Sequence, residues 1–581
     1  MGLEMTGEIP NFTYRLHEAA VPPLTAGRDG TRHSVVIAGG GPVGLGLALA
    51  LARQGVASVV IEADDTVCKG SRAICLSRRS LEILDHLGAL DGFLSKGLGW
   101  TTGRSFYRET EVLRFDMPHA ASDRFLPMTN IPQYWIEEFL VEAAEKHADL
   151  IDLRWQTKLE RMEADAHGVR LDLSTGATRY TAETDWLVAC DGARSKIRQD
   201  LGLRMNGTAY EGRYVIVDVE VDLPWPTERL AWFDPPSNPG RTMLMHRQPD
   251  NVWRLDYQLH DDEDAEEMTR PDRVLPVVEA HFRMLKIDKP WRLVWASTYR
   301  ASALSLDDYV HGRVIFAGDA AHLVPIFGVR GLNSGFEDVF NLAWKLAAVV
   351  EGRAAPELLS SYSRERHDAW ATNVSHAMKS TEFMAPPSRG FELMRDAVLS
   401  LAARHQSLST LINPRQSSVL PYDDTALNLT SPDEHSFSGP LRPGVLVPDF
   451  CVECGGRPQF LSQHLADSFT AIVFPGEGLG ADHAAAAVAA AAQVSGMPIA
   501  LAIVVPRTDG AAMGPSNLLV DAAGRIRKAF DADPFAVYLV RPDGYVCCRW
   551  RRASGNDIAA ALHEILGVPA AADGIGAGVP S

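Results

Sequence analysis

Three glycines and an acid carry the first chemical signal in this chain. Gly39, Gly41 and Gly44 stand in G-x-G-x-x-G spacing, and Glu62 follows 18 residues after Gly44. Each position meets a distinct need of dinucleotide binding. Gly39 permits a sharp turn, Gly41 lets a pyrophosphate approach the backbone, and Gly44 lets a helix pack close to a strand. The helix that follows offers its first N–H groups and a partial positive charge to phosphate. Glu62 can accept hydrogen bonds from a ribose hydroxyl, and its charge disfavours a 2′-phosphate there. A βαβ unit without ligand is the competing reading; the complete strand, turn, helix, strand and acid series favours the ligand.

Two more acid–glycine pairs follow. In WLVACDGARSKIR (186–198) an apolar strand delivers Asp191-Gly192, and Arg194, Ser195 and Lys196 open a helix. Sheets of this class bind ligands at the carboxyl ends of parallel strands, although a plain Asp-Gly turn uses the same residues. In 313–346 a strand, Val314–Ala317, ends in Gly318-Asp319, and a loop with Pro325, Gly328 and Gly331 leads into a helix from about Asn333. That arrangement suits a ligand with hydroxyls and a developing negative charge.

These residues require a parallel sheet with helices on it. The run SVVIAGGGPVGLGLALALARQGVASVVIE (34–62) reads as strand, turn, helix, strand. An amphipathic helix is predicted over Trp135–Lys146, and strands over Leu150–Trp155, Val169–Ser174 and Trp186–Ala189. Arg72, Arg78 and Arg79 precede or begin another helix and either reach phosphate or form a solvated face. Between about 205 and 300 the pattern changes to alternating strands, Tyr214–Val221, Thr242–Arg247 and Val252–Leu259. This predicts an antiparallel sheet with one face free to cover a cavity. Six of the chain's 12 tryptophans fall between 186 and 295, mostly as core, with one or two available to line an aromatic pocket.

The bulk numbers exclude several classes. At 581 residues the chain needs two to four domains, and its net charge of −18 disfavours nucleic acid and anionic membrane surfaces. Seven scattered cysteines suit reduced thiols in a cytoplasm rather than a disulfide framework. No run is long and apolar enough for a membrane span, and residues 1–33 lack the apolar core of a signal peptide. The expectation is a cytoplasmic protein.

The three motifs in this order resemble the single-component FAD-dependent aromatic hydroxylases, the class A flavoprotein monooxygenases. The likeness covers roughly 34–370, including SRAICLSRRSLEIL and SYSRERHDAW (361–370). Chain length and the ending YLVRPDGYVCCRW (538–550) resemble the hydroxyphenylpropionate and phenol hydroxylase branch. The resemblance implies an α/β fold: a Rossmann-type FAD-binding domain, an inserted antiparallel β-sheet substrate domain, and a C-terminal thioredoxin-like domain. It also implies roles. Gly39, Gly41, Gly44 and Glu62 would hold the ADP half of FAD, Arg72 and Gln133 would touch the cofactor, and Asp191 and Gly192 would serve its pyrophosphate. Asp319 would bind the ribityl chain. Pro325 belongs to the same loop, and Gly331, Leu332 and Asn333 would set backbone N–H groups beside the flavin's pyrimidine ring. NADH or NADPH is the implied co-substrate, visiting transiently because there is one G-x-G-x-x-G. Where the family often has P-P-x-x-G-Q-G, this chain has Pro325-Ile326-Phe327-Gly328-Val329-Arg330-Gly331. Arg330 either meets an anionic substrate group or faces solvent. No W-x-W-x-I-P is present, which argues against a halogenase.

Domain expectations follow: an extension at 1–33, the FAD-binding domain at 34–204 and 301–370, and the substrate sheet at 205–300. A connector is expected at 371–440, the thioredoxin-like unit at 441–568, and a disordered tail at 569–581. Where a working thioredoxin carries C-x-x-C this chain has Pro475-Gly476-Glu477-Gly478. Cys451 and Cys454 lie upstream, so packing or dimerisation is expected of this unit and no metal site is assigned. The functional expectation is hydroxylation of a phenolic ring with NAD(P)H and dioxygen through a flavin hydroperoxide. Its partners would be a small aromatic substrate, with a homodimer left open. His246, Tyr214 and Tyr257 on the substrate sheet, with Arg330, are the candidate catalytic groups. Alternatives are a polyketide-tailoring or Baeyer–Villiger-type oxygenase and a non-catalytic FAD-binding redox or interaction protein.

Overall fold

The computed structural model describes residues 9–70, 73–260, 262–325, 327–412, 419–465, 467–476, 480–506 and 517–568. Its first sheet is built from short runs of β-branched and small apolar residues. Ile151–Arg154, Ser58–Ile61, Arg28–Ala38, Thr178–Ala189 and Val314–Phe316 lie side by side and parallel. The register is what matters for function. Ala38 pairs with Ile61 and with Ala189, and Ala189 pairs with Phe316. All three motifs therefore leave the sheet at one edge, where Gly39, Glu62, Asp191 and Asp319 emerge together. Helix Pro42–Arg53, buried along most of its length, and helix Gly331–Val350 pack against each other on this sheet.

Two expectations about boundaries change. The first central strand begins at Arg28, and Phe12 packs its ring 4.6 Å from Tyr134 and 4.8 Å from Trp135. Residues 9–33 are thus packed into the body of the first sheet rather than standing apart as an extension. The second sheet has the order His322–Leu323, Trp291–Ser305, Asn206–Val221, Val252–Gln258, Thr242–Arg247, Arg229–Phe233, Thr102–Tyr107, Thr110–Asp116. Its last two strands come from inside 34–204, and Thr102–Tyr107 joins by a parallel pairing with Arg229–Phe233. Local alternation cannot reveal a partner more than a hundred residues away.

Side chains alternate across each strand, so this sheet has two different faces. One carries Val215, Val217, Trp232, Met245, Leu255 and Tyr257 and is sealed by helix Pro271–Met284. The other turns toward the body of the first sheet and is partly covered from the expected connector. Helix Leu358–Met384 runs straight through residue 370, and helix Arg389–Ala402 follows, with Met384, Leu399 and Ala402 packed on Tyr214, Phe233 and Leu244.

The C-terminal unit is a seven-stranded sheet with parallel strands Phe469–Val473, Ile499–Val505 and Leu518–Val520, next to an antiparallel pair, Val537–Val540 and Val546–Trp550. Helices Gly480–Ser495 and Gly555–Leu566 pack together beside it. Cys451 and Cys454 occupy the ends of strand Cys451–Cys454. Three residues apart on a strand, they point to opposite faces and cannot bridge to each other. Glu477 and Gly478 of the expected thiol turn, and the expected tail 569–581, lie outside the described residues. Among the described residues no helix is long and apolar enough to cross a membrane, and no group of three or more His, Cys, Asp or Glu is placed to hold a metal ion.

Candidate active site

The glycine turn has the geometry its spacing suggests. Gly39 has φ +110°, and a Cβ there would lie 2.4 Å from the Cys190 carbonyl oxygen; a Cβ on Gly44 would lie 1.9 Å from the Gly39 oxygen. Both positions are closed to any side chain. Gly41 differs: an added Cβ would meet nothing within 4 Å. It faces open space at the amino end of helix Pro42–Arg53, where no side chain caps the helix. Glu62 borders the same turn, accepting the Gly40 N–H (2.6 Å) and the Asp64 N–H (2.9 Å). Burial lifts its carboxyl above the ordinary range although both amides oppose this. An open backbone position beside uncapped N–H groups and a half-buried carboxylate fits the ADP half of FAD.

The other motif residues surround this edge. Arg72 lies outside the described residues. Gln133 accepts the Ala73 N–H (3.1 Å) and donates to Glu137 (2.9 Å), whose other oxygen accepts the Cys68 N–H (2.6 Å). Cys68 and Ala73 are thereby tied to helix Gln133–Glu145. Asp191 Oδ2 accepts the Ile197 N–H (3.2 Å), while its buried Oδ1 makes no hydrogen bond. Gly192 has φ +76°, so the turn there needs glycine. Asp319 is exposed on the turn Gly318–Ala320.

Sequence reasoning missed what holds these turns together. Asp338 accepts the Gly318 N–H (2.9 Å), His322 Nε2 (2.7 Å) and Arg366 Nε (2.6 Å). Burial alone would raise its carboxyl, but the interactions and hydrogen bonds from His322 and Arg366 outweigh burial and hold it below the ordinary range. Arg198 donates to the carbonyls of Ala320 (3.0 Å) and Ala193 (2.6 Å), joining the Asp191 and Asp319 turns. Arg366 lies within the SYSRERHDAW segment that carried the resemblance; Asp338 and Arg198 had no signal beyond helix position.

Pro325 is buried in the loop that precedes helix Gly331–Val350. The first hydrogen bond at the start of this helix is Ser334 N–H to Arg330 O (2.8 Å), so the amides of Gly331, Leu332 and Asn333 have no acceptor inside it. The Asn333 side chain is fully engaged elsewhere. It accepts from Ser77 N–H (2.8 Å) and Ser80 Oγ (2.6 Å) and donates to the carbonyls of Cys75 (3.2 Å) and Val329 (2.6 Å). It clamps strand Cys75–Ser77 to the helix. Val329 has φ +59°, which a β-branched residue rarely adopts. Arg330 does not face solvent: it is 1% exposed and donates to Asn373 Oδ1 (2.6 Å).

Of the sheet candidates, Tyr214 and His246 lie on the face turned to this body and Tyr257 does not. Tyr257 sits in the opposite core against helix Pro271–Met284, with its hydroxyl on the Met268 carbonyl (3.4 Å). Since Tyr214 pairs with Gln258, the neighbouring Tyr257 must point the other way; this removes Tyr257 from the candidates. Tyr214 meets Thr242 Oγ1 (3.3 Å) and packs edge-on to Phe327 of the Pro325 loop, ring centroids 5.4 Å apart. Burial raises its phenol. His246 is lowered to about 3 by burial and by Arg229 and Arg254, so its imidazole stays neutral. Trp295 lies against Gly70, and with Ser297, Gln133 and Thr66 it lines a cavity of about 440 Å³ between sheet and nucleotide edge.

With this geometry in hand, known proteins give three comparisons. A family model described as FAD binding domain matches residues 32–377. The 3-(3-hydroxy-phenyl)propionate/3-hydroxycinnamic acid hydroxylases of Mycolicibacterium smegmatis and Klebsiella pneumoniae are each 28% identical to the chain over 367 and 366 residues, 63% of this chain and 64% of theirs. The chain thus spans less than two thirds of those relatives in the alignment. Among solved structures, the flavin-dependent monooxygenase PieE in complex with FAD and substrate matches with TM-score 0.77 at 23% identity, over 93% of this chain and 100% of that one. Aklavinone-11 hydroxylase with FAD and aklavinone matches with TM-score 0.74 at 23% identity, over 92% and 100%. At that identity these two likenesses concern the fold. The p-nitrophenol 4-monooxygenase PnpA of Pseudomonas putida is 27% identical, with TM-score 0.57 over 66% of this chain and 96% of that one.

Proposed function

Because the chain belongs to the FAD binding domain family, we propose that it is an FAD-dependent monooxygenase that hydroxylates a phenolic ring at the expense of NAD(P)H and dioxygen. The observation that carries this reading is the convergence of three parts. These are the open backbone position at Gly41, the amino end of helix Gly331–Val350, and the polar sheet face that meets the Pro325 loop through Tyr214 and Phe327. Gly39, Gly41, Gly44 and Glu62 would hold the ADP half of FAD; Gln133, Asp191, Gly192 and Asp319 its pyrophosphate and ribityl chain.

Bound there, FAD supplies the electron transfer and dioxygen chemistry. The chain's own contribution is electrostatic and geometric. With FAD bound, the amides of Gly331, Leu332 and Asn333 would offer it the positive end of a 20-residue helix, which would favour negative charge on the flavin. Buried Arg330 adds a full charge at that end. Asn333 acts through its backbone, since its side chain is engaged by Ser77, Ser80, Cys75 and Val329. The sheet face orients the ring and excludes water. His246, held neutral, suits hydrogen bonding better than proton removal. With one glycine-rich dinucleotide edge among the described residues, the nicotinamide would bind transiently.

A phenolic acid follows the names of the curated relatives. A polycyclic substrate is the second reading, favoured by the near end-to-end likeness to aklavinone-11 hydroxylase. Two measurements test the proposal. Gly41→Ala should fold, because its Cβ has space, yet lose FAD; retention of one FAD per chain in that variant would remove the Gly41 edge from the site. NAD(P)H oxidation should rise with either simple phenols or polycyclic quinones, and no stimulation by either class would sink the hydroxylase reading.

A further inference from the structure

We infer that Tyr422 is a positioning residue for the cofactor: the C-terminal unit holds its ring through Tyr545, and its hydroxyl fixes Arg366, which braces the Gly318–Asp319 turn and the first turn of helix Gly331–Val350. The inference rests on the reading of those two turns as part of the FAD edge.

Helices Gly331–Val350 and Leu358–Met384 bury a strip of polar groups between them. Asp338, Asn341 and Lys345 stand three and four residues apart on one face of the first helix, and Glu365 and Arg366 are consecutive on the second. Each of the five is at most 3% exposed. The strip has two ends. At one, Glu365 takes Arg541 of the C-terminal unit together with Asn341 and Lys345. At the other, Arg366 donates Nε to Asp338 Oδ1 (2.6 Å) and Nη2 to the Ser334 carbonyl (3.2 Å), while Asp338 accepts the Gly318 N–H (2.9 Å). The third arm of the guanidinium, Nη1, donates to Tyr422 Oη (2.9 Å).

Tyr422 comes from neither helix, and the C-terminal unit sets its position. Its ring stacks on Tyr545 with centroids 4.3 Å apart and 29° between the planes, and the Arg541 guanidinium lies 5.6 Å from the same ring. Its N–H donates to the Gly444 carbonyl (2.8 Å), and Gly444 N–H donates to Val546 O (2.8 Å). Gly444 has φ +87°, and a Cβ there would lie 2.2 Å from the Tyr422 carbonyl oxygen, so this close approach requires glycine. Burial pushes the phenol up to about 12, so at neutral pH it offers Arg366 an uncharged hydroxyl.

A guanidinium is planar, and three acceptors on three of its nitrogens fix both its place and its tilt. Without the Tyr422 hydroxyl, Nη1 would be a buried donor with no acceptor, and the hold on Asp338 and Ser334 would loosen with it. The competing reading is that Tyr422 serves docking alone. Docking needs only the ring, because a phenylalanine would stack on Tyr545 equally well. The hydroxyl is spent on Arg366 instead.

The test uses the full chain, stripped of FAD and titrated with it, then reloaded for the flavin's midpoint potential. Tyr422→Phe keeps the stack and removes the hydroxyl. Its FAD dissociation constant should rise about fivefold. Its potential should move to more negative values, because the positive helix end is held less firmly beside the flavin. Tyr545→Leu removes the stack and should act in the same direction through Tyr422, whereas Tyr545→Phe keeps a ring there and should stay within about twofold of the wild type. Ile526→Ala opens a cavity in the C-terminal unit's own core and should lower the thermal midpoint while leaving both flavin readouts unmoved. Unchanged affinity and potential in Tyr422→Phe would leave Tyr422 a docking residue and overturn the inference. So would unchanged values in Tyr545→Leu, or an Ile526→Ala effect as large as that of Tyr422→Phe, since flavin affinity would then follow stability alone. Asp338→Asn reports on the edge itself: if it weakens FAD and Tyr422→Phe does not, the edge stands and the inference falls. None of these readouts needs a substrate, so absence of substrate-stimulated NAD(P)H oxidation would defeat the hydroxylase reading separately.

Discussion

Two buried arginines in this molecule sit in opposite electrostatic circumstances. Arg541, in the R-P-D-G-Y turn of the C-terminal unit, is fully buried where that unit docks onto the FAD-binding body. It donates to both Glu365 oxygens at 2.8 and 2.9 Å and to Asp543 at 2.9 Å. Glu365 also receives Lys345 (2.8 Å) and Asn341 (2.6 Å), and Arg79 donates to the Asp543 carbonyl (2.7 Å). The acceptors here are shared out among the donors, so the junction is a closed network that fixes two bodies together. Arg229 has comparable burial and no such partner. Burial alone therefore says little about what a charge does in this protein; whether its hydrogen-bonding capacity is used inside the chain decides whether it stabilises.

Breaking the closed network should have the largest effect. Glu365→Ala leaves Arg541 and Lys345 buried with too little negative charge, and removal of one partner of a buried pair costs about 3–5 kcal/mol. Denaturant unfolding should show that loss. A change below about 1 kcal/mol would mean the network is not what holds the junction.

At the open position the sign should reverse. Arg229→Met removes an uncompensated buried cation and replaces it with an apolar side chain of similar length. Stability should rise by about 1–2 kcal/mol, because a buried charge without a close partner is costly. Loss of stability on this substitution would place Arg229 with Arg541 among the structural arginines. A smaller effect is expected at Asp338→Asn, which weakens the hold of Arg366 and His322 on the Gly318 turn. FAD affinity should fall about tenfold, together with a loss of stability smaller than at Glu365 because asparagine keeps one acceptor oxygen, and an unchanged flavin dissociation constant in the folded variant would detach this brace from the cofactor edge.

The contrast also explains what could be read in advance. The motif ends were legible because each sits one to three residues beyond an apolar strand, and parallel strands of this kind end at a common edge. Gly39, Glu62, Asp191 and Asp319 converge for that reason alone. The second sheet was legible as strands but not as faces. Tyr214, His246 and Tyr257 look equivalent in sequence, and only the pairing of Tyr214 with Gln258 reverses Tyr257. Arg229 opens the run RLAWF, where a charge at a strand end reads as solvent-facing; its burial depends on Thr102–Tyr107 crossing over to cover that edge. The R-P-D-G-Y turn carried the family likeness, but its partners Glu365 and Lys345 lie far upstream on two helices. Non-local pairing decided each point that sequence could not.

The finest test asks whether Asp256 stands with the open region or quietly closes it. Its carboxyl is pushed up to about 7: burial dominates, Arg254 and Arg229 pull it down, and Asp218 pushes it up further. An acid whose folded value exceeds its unfolded value of about 3.9 takes up a proton on folding across the interval between them. Its contribution is therefore most favourable below about pH 4, declines as pH rises toward 7, and is flat above that. The difference in thermal midpoint between wild type and Asp256→Asn should follow this course between pH 5 and 8, with the wild type losing ground as pH rises. In an Arg229→Met background one of the two cations that lower Asp256 is gone, so the decline should extend to higher pH. A difference that is flat across the whole range would mean that Asp256 is ionised throughout. It would then act as the counter-charge of Arg229, and the sheet face would be a second closed network.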